Sequence, residues 1–110
     1  MASRKASPEV VLVSRLRLRP GAGEAFRRSV AESLAAAARR PGFVRADFQE
    51  NRALPGHVVV QETWRGTPER FLSQEMSQPY RRRYEAAVAE LAAAREVDWL
   101  APSGSWTATR

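Results

Sequence analysis

The sequence predicts an α+β fold of ferredoxin-like order, β-α-β-β-α-β with the second helix split, and three observations predict it. Residues 10–19, 43–51 and 57–64 alternate with the period of half-buried strands. Residues 24–40 and 79–91 repeat apolar side chains at helical spacing. Pro-Gly or Gly-Thr-Pro punctuation separates the stretches. A chain of 110 residues, 44% hydrophobic and 27% charged, suits one domain and is too short for two. Residues 1–8 are polar, contain Pro8 and show no periodicity, so they read as a disordered tail ahead of a single domain over 9–110.

The first strand, VVLVSRLRLR, places Leu16 and Leu18 on one face and Arg15, Arg17 and Arg19 on the other. Ser14 shares the face of Leu12 and Leu16. It is either a small core residue or the one polar group that this strand points inward. After the Pro20-Gly21-Ala22-Gly23 break, Phe26, Val30, Leu34 and Ala37 form a helical stripe. The run LAAAA at 34–38 lets that helix approach the sheet closely, Arg39 and Arg40 suit its negative end, and Pro41-Gly42 stops it.

In the second strand Val44, Ala46 and Phe48 oppose Arg45, Asp47 and Gln49. Residues 51–56 supply a turn of hairpin length, so the second and third strands should be antiparallel neighbours. The third strand carries Val58, Val60, Glu62 and Trp64 on one face: a carboxylate and an indole stand among valines, where a plain core has aliphatics. Thr67-Pro68-Glu69 has the order N-cap, first-turn proline, first-turn acid, and Phe71, Leu72 and Met76 give the short helix its apolar side. Pro79 opens the last helix, with Tyr80, Tyr84, Val88 and Leu91 on its stripe. Two short strand-like pieces follow, at 97–100 and 105–109, around Pro102-Ser103-Gly104.

With no cysteine, disulfides, thiolate metal sites and cysteine nucleophiles are excluded, and the single histidine, His57, excludes a multi-histidine metal site. The first residues lack the apolar core of a secretory signal, and no apolar run is long enough to span a bilayer. A cytoplasmic protein is expected. The net charge of +6 is spread over arginines on strands and helices, which fits a solvated basic surface better than a dedicated polyanion site. RNA-recognition modules share the element order but need stacking aromatics on exposed central strands, whereas residues 57–64 offer valines and one tryptophan. No nucleic-acid partner is expected. One sheet face is left without helices, and its expected cover is the same face of a second copy, an isologous homodimer.

Four segments together resemble a known family: LRLRPGAGEAFRRSV after the first strand, RRPGFV before the second, VVVQETW in the third, and FLSQEMSQPYRRRY after it. They are similar to the antibiotic biosynthesis monooxygenase (ABM) superfamily over residues 10–95. The resemblance implies a dimeric α+β barrel with a cavity in each subunit between sheet and helices. It also implies activities that include cofactor-free oxidation of aromatic polyketide anthrones to quinones, haem degradation and quinol oxidation. Trp64 matches the pocket tryptophan of the polyketide and haem enzymes. Ser14 and Val60 stand where several members have asparagines, and Gln74 stands where a histidine would bind haem iron, which tells against haem degradation.

The implied chemistry needs no cofactor, since a deprotonated electron-rich phenol can itself give an electron to dioxygen. The protein must hold it flat, exclude water and stabilise the anion. On this reading Trp64, Glu62 and Ser14 are the catalytic candidates: Trp64 stacks on the rings, Glu62, desolvated beside valines, exchanges the proton, and Ser14 hydrogen-bonds a phenolate. Phe71, Tyr84, Arg81 and Val60 are the substrate-binding candidates, with an arginine among 81–83 attracting the anion near the entrance. A polyketide cyclase using the same cavity, and a non-catalytic ligand-binding or regulatory dimer, are the alternatives. Common to the enzyme readings is a hollow bordered by the Trp64 indole.

Overall fold

The structure is a computed structural model that describes residues 8–110. Its elements are β1 (Glu9–Leu18), α1 (Gly23–Ala37), β2 (Phe43–Glu50), β3 (His57–Arg65), α2 (Pro68–Gln74), α3 (Pro79–Leu91) and β4 (Ala92–Leu100). The strands form one antiparallel sheet of order β2-β3-β1-β4, the ferredoxin-like α+β plan. No helix is long and apolar enough to cross a membrane among the described residues. The expected tail at residues 1–8 falls outside them except for Pro8, whose carbonyl accepts a 2.7 Å hydrogen bond from the Gly66 amide.

Because antiparallel partners share a face, the register writes the core as rows across the sheet. One row is Phe48, Val60, Ser14 and Val97; the next is Ala46, Glu62, Leu12 and Trp99; a third is Phe43, Trp64 and Val10. These rows face the helices. The opposite face carries Val11, Val13, Arg15 and Arg17 of β1 beside Thr63, Gln61, Val59 and His57 of β3.

Local chemistry sets the connections. Asn51 Oδ1 accepts from the amides of Ala53 and Leu54 at 2.8 and 2.9 Å, which folds the β2–β3 turn. Gly66, at φ +102°, lets the chain leave β3 in a left-handed turn that another residue adopts only with strain. Thr67 Oγ1 then caps α2 by accepting from the Arg70 amide at 3.1 Å, as the Thr-Pro-Glu order predicts. Pro68 and Pro79 open α2 and α3, where a missing N–H costs nothing.

Four sequence expectations need correction. An irregularity in the β2–β3 register between Phe43 and Arg45 brings Phe43, instead of Val44, beside Trp64. Leu72 is half exposed, so α2 buries Phe71 alone. The final strand begins at Ala92, because pairing of Ala92 and Ala94 with Leu18 and Arg17 overrides the helical preference of alanine. Residues 105–109 form no strand.

The interior divides in two. Leu16, Leu18, Phe26, Val30, Val58, Val60, Tyr84 and Val88 pack at one end; Val10, Leu12, Ala37, Trp64, Phe71 and Tyr80 pack at the other. Between them on the strands lie Ser14 and Glu62, and between Tyr80 and Tyr84 on α3 lies Arg81. All three are 1% exposed. A polar seam therefore crosses the core from sheet to helix.

Candidate functional site

Alternation along β3 turns Glu62 and Trp64 inward together, and the helical spacing of α3 turns Arg81 toward them. Glu62 Oε1 accepts from Arg81 Nη1 at 2.9 Å and from Trp64 Nε1 at 3.1 Å, while Oε2 accepts from Arg81 Nη1 at 3.1 Å. The guanidinium lies 4.9 Å from the Phe71 ring centre and 5.2 Å from that of Tyr84, a cation between two π faces. Trp64 packs edge-on against Phe43 and Phe71, each at 5.3 Å, and Phe71 continues to Trp99 at 5.6 Å.

Thus all seven sequence-derived candidates, Ser14, Val60, Glu62, Trp64, Phe71, Arg81 and Tyr84, are buried on or against one side of the sheet. Two placements differ from expectation. Arg81 is not near an entrance but wholly interior, because Glu62 supplies the counter-charge that burial demands; Arg82 and Arg83 are the solvated pair. Glu62 is not a carboxylate among valines only, since three hydrogen bonds occupy it.

Beyond Arg81 the charges continue. Its Nε stands 3.6 Å from Glu85 Oε2, an ion pair longer than a hydrogen bond, and Glu85 holds Arg95 with bonds of 2.6 and 3.0 Å. A second knot joins buried Glu75 to Tyr80 Oη at 2.7 Å and Arg40 Nε at 3.0 Å. Two hydroxyls are left over: Ser14 Oγ and Tyr84 Oη have no hydrogen-bond partner among the described residues.

Protonation follows from these contacts. Burial, reinforced by Glu62, pushes the Tyr84 phenol up to about 12, so it is a proton donor throughout the neutral range. Burial alone would lower the Arg81 guanidinium, but the Glu62 charge and hydrogen bonds outweigh it and the net shift is upward. Burial would raise Glu85, yet its bonds to Arg95 hold it below the ordinary carboxylate value. Tyr80 is raised by burial and by Glu75.

Three of the hollows on the surface of the described residues stand out. One of about 520 Å³ lies at one end of the helix-free sheet face, against Arg17, Gln49, His57 and Val59. Another of about 550 Å³ runs between α1 and α3 past Ser33 and Tyr84, and a third of about 340 Å³ sits where α3 meets β4. None of the three is lined by Trp64, Glu62 or Ser14. The expected hollow beside the indole is not among them: Phe43 and Phe71 pack against that ring.

Sequence reasoning did not single out Trp99, Glu75 or the Glu85–Arg95 pair. The alternation of Val97 and Trp99 against Asp98, and the i,i+4 spacing of Arg81 and Glu85, were the available signals. Gln74, at the position of an iron-binding histidine, is exposed and accepts from Arg70 Nε at 3.3 Å. Among the described residues no group of three or more His, Cys, Asp or Glu side chains is placed to hold a metal ion.

Residues 9–69 match the antibiotic biosynthesis monooxygenase family. The chain belongs to that family. Solved structures superpose over nearly its whole length. A Nitrosomonas europaea protein assigned to these monooxygenases shares 16% identity with TM-score 0.79, covering 91% of this chain and 95% of its own. Rv0793 of Mycobacterium tuberculosis shares 25% identity with TM-score 0.78, covering 90% and 99%. PA3566 of Pseudomonas aeruginosa shares 19% identity with TM-score 0.78, covering 93% and 100%. No curated protein matches the sequence significantly. The ABM fold here is of general monooxygenase type.

Proposed function

We propose that this ABM protein is a cofactor-independent monooxygenase, acting in the cytoplasm as a homodimer on a small electron-rich phenol of polyketide type, in the anthrone-to-quinone manner. The observation that carries the reading is the pair of unpartnered buried hydroxyls, Ser14 Oγ and Tyr84 Oη, in a core already crossed by an ion pair. A scaffold gains nothing from such groups, each of which costs roughly 1–3 kcal/mol when left unbonded. Each is a donor that a phenolate oxygen could accept from. Val60 stands opposite Ser14 in the sheet and packs in the cluster that holds Tyr84, as part of the apolar floor.

In this scheme Arg81 supplies positive charge to the anion, Tyr84 donates to its oxygen, and Trp64 and Phe71 confine the rings. Glu62 holds Arg81 and the indole in place and is an anchor, not the proton acceptor first assigned to it. A ring CH₂ becomes C=O and dioxygen supplies that oxygen; the second oxygen leaves as water with the two hydrogens, so the four electrons come from substrate. Admission requires α2 to lift. It is seven residues long and buries only Phe71, so opening costs roughly 2–3 kcal/mol, a population on the order of 1%.

Incubation with an anthrone under ¹⁸O₂ tests this: one labelled oxygen in the quinone and one dioxygen consumed per turnover are expected. Product formed equally well without oxygen would leave the cyclase reading instead. The closely packed indole favours a second reading, a ligand-binding or regulatory dimer without chemistry. It predicts that Trp64→Phe keeps most affinity, where the oxygenase reading predicts lost turnover.

A further inference from the structure

Residues 101–110 leave β4 without regular secondary structure and are all exposed, and Trp106, at 89%, is the most exposed large hydrophobic among the described residues. An indole offers 150–250 Å² for burial and is among the strongest anchors of protein interfaces. Among the described residues Gly104 lies close against the Trp106 ring, which stays exposed. The walls of the 520 Å³ hollow on the helix-free sheet face combine apolar Val59 and Ala94 with Arg17 and His57. Arg17 forms no ion pair among the described residues, which leaves its guanidinium free to lie over an indole ring.

We infer that this segment is an arm exchanged between two copies of the chain, with Trp106 of each copy seated in the hollow of the other. Chain length decides for a second copy. β4 ends at Leu100 opposite Val11, whereas the hollow lies at the other end of the sheet, beside Arg17 and Ala94. Six residues reach roughly 20 Å at full extension, about the length of β4 from Ala94 to Leu100. To reach its own hollow the arm would need that whole length while reversing direction, and Pro102-Ser103-Gly104 spends part of it on a bend. In a two-fold pair whose helix-free faces meet with strand directions reversed, the end of one β4 overlies the hollow of the other copy. The arm then needs no reversal, and the pairing is reciprocal.

The inference is independent of the oxygenase reading, and its test uses no substrate. The chain has no cysteine, so the full-length double variant Gln49→Cys/Thr107→Cys carries one thiol at the rim of the hollow and one beside Trp106. On mild oxidation it should migrate as a covalent dimer. Trp106→Ala should weaken dimerisation roughly tenfold or more in sedimentation equilibrium while leaving the far-ultraviolet circular dichroism unchanged. A disulfide confined to single chains, no disulfide, or a Trp106→Ala variant that dimerises as well as the parent would overturn the proposal.

Discussion

At the scale of the residue, the Glu62–Arg81 pair governs what the core tolerates. Both side chains are at most 2% exposed, so removing one strands the other as a buried charge. Glu62→Ala or Arg81→Ala is expected to cost about 3–5 kcal/mol in urea unfolding, while the double change Glu62→Leu/Arg81→Met recovers most of that loss. Additive penalties would show that the two do not act as a pair. Tyr84 behaves differently, because its hydroxyl has no partner to lose. Tyr84→Phe should therefore raise stability, by roughly 1–3 kcal/mol, because it removes an unbonded buried polar atom. The phenol also sets an alkaline limit: its value rises from 10.0 unfolded to about 12 folded. A raised acid binds its proton more tightly in the native state, so its contribution is complete below pH 10.0 and is lost as pH climbs toward about 12. Tyr84→Phe should flatten that alkaline loss in a pH series of unfolding midpoints.

At the scale of the element, α2 and α3 show how local chemistry places the seam. Thr67→Ala removes the cap of a seven-residue helix and should cost about 1 kcal/mol, and on the proposed function it should also raise the population in which Phe71 is lifted. Faster amide exchange confined to α2 would register this. The junction of α3 and β4 depends on Glu85 and Arg95. Glu85 is held below its ordinary 4.5, so the pair stabilises fully above that pH and fades as pH falls through the lower native value. Glu85→Gln should therefore narrow the stability difference between neutral and acid pH. The elements legible in the sequence were those with strong periodicity or caps: β1, β3, α1, and the Thr67 and Pro79 helix starts. The misread ones were decided by partners. Ala92 and Ala94 became strand because Leu18 and Arg17 offered a free edge, and Phe43 replaced Val44 through a register irregularity that no local pattern records.

At the scale of the whole molecule, the seven candidate residues were legible because a carboxylate and an indole interrupt a valine face, and the fold does gather them on one layer. Their arrangement was not legible. Sequence spacing puts Arg81 in a basic run, Arg81-Arg82-Arg83, and only the packing of α3 onto β3 turns one of the three into the core against Glu62. Beside Trp64, where space was expected, Phe43 of β2 and Phe71 of α2 pack against the ring. What remains is a core split by charge, with two hydroxyls held in reserve, in a family of monooxygenase type. The most direct measurement compares dioxygen consumed per quinone formed from an anthrone by the parent chain and by Tyr84→Phe, at equal folded concentration. The parent should consume one dioxygen per quinone, and the variant, at least as stable, should turn over roughly 10- to 100-fold more slowly for want of one hydrogen bond to the anion. Equal rates in the two proteins, or no dioxygen consumed by either, would contradict the assignment of the seam as the site.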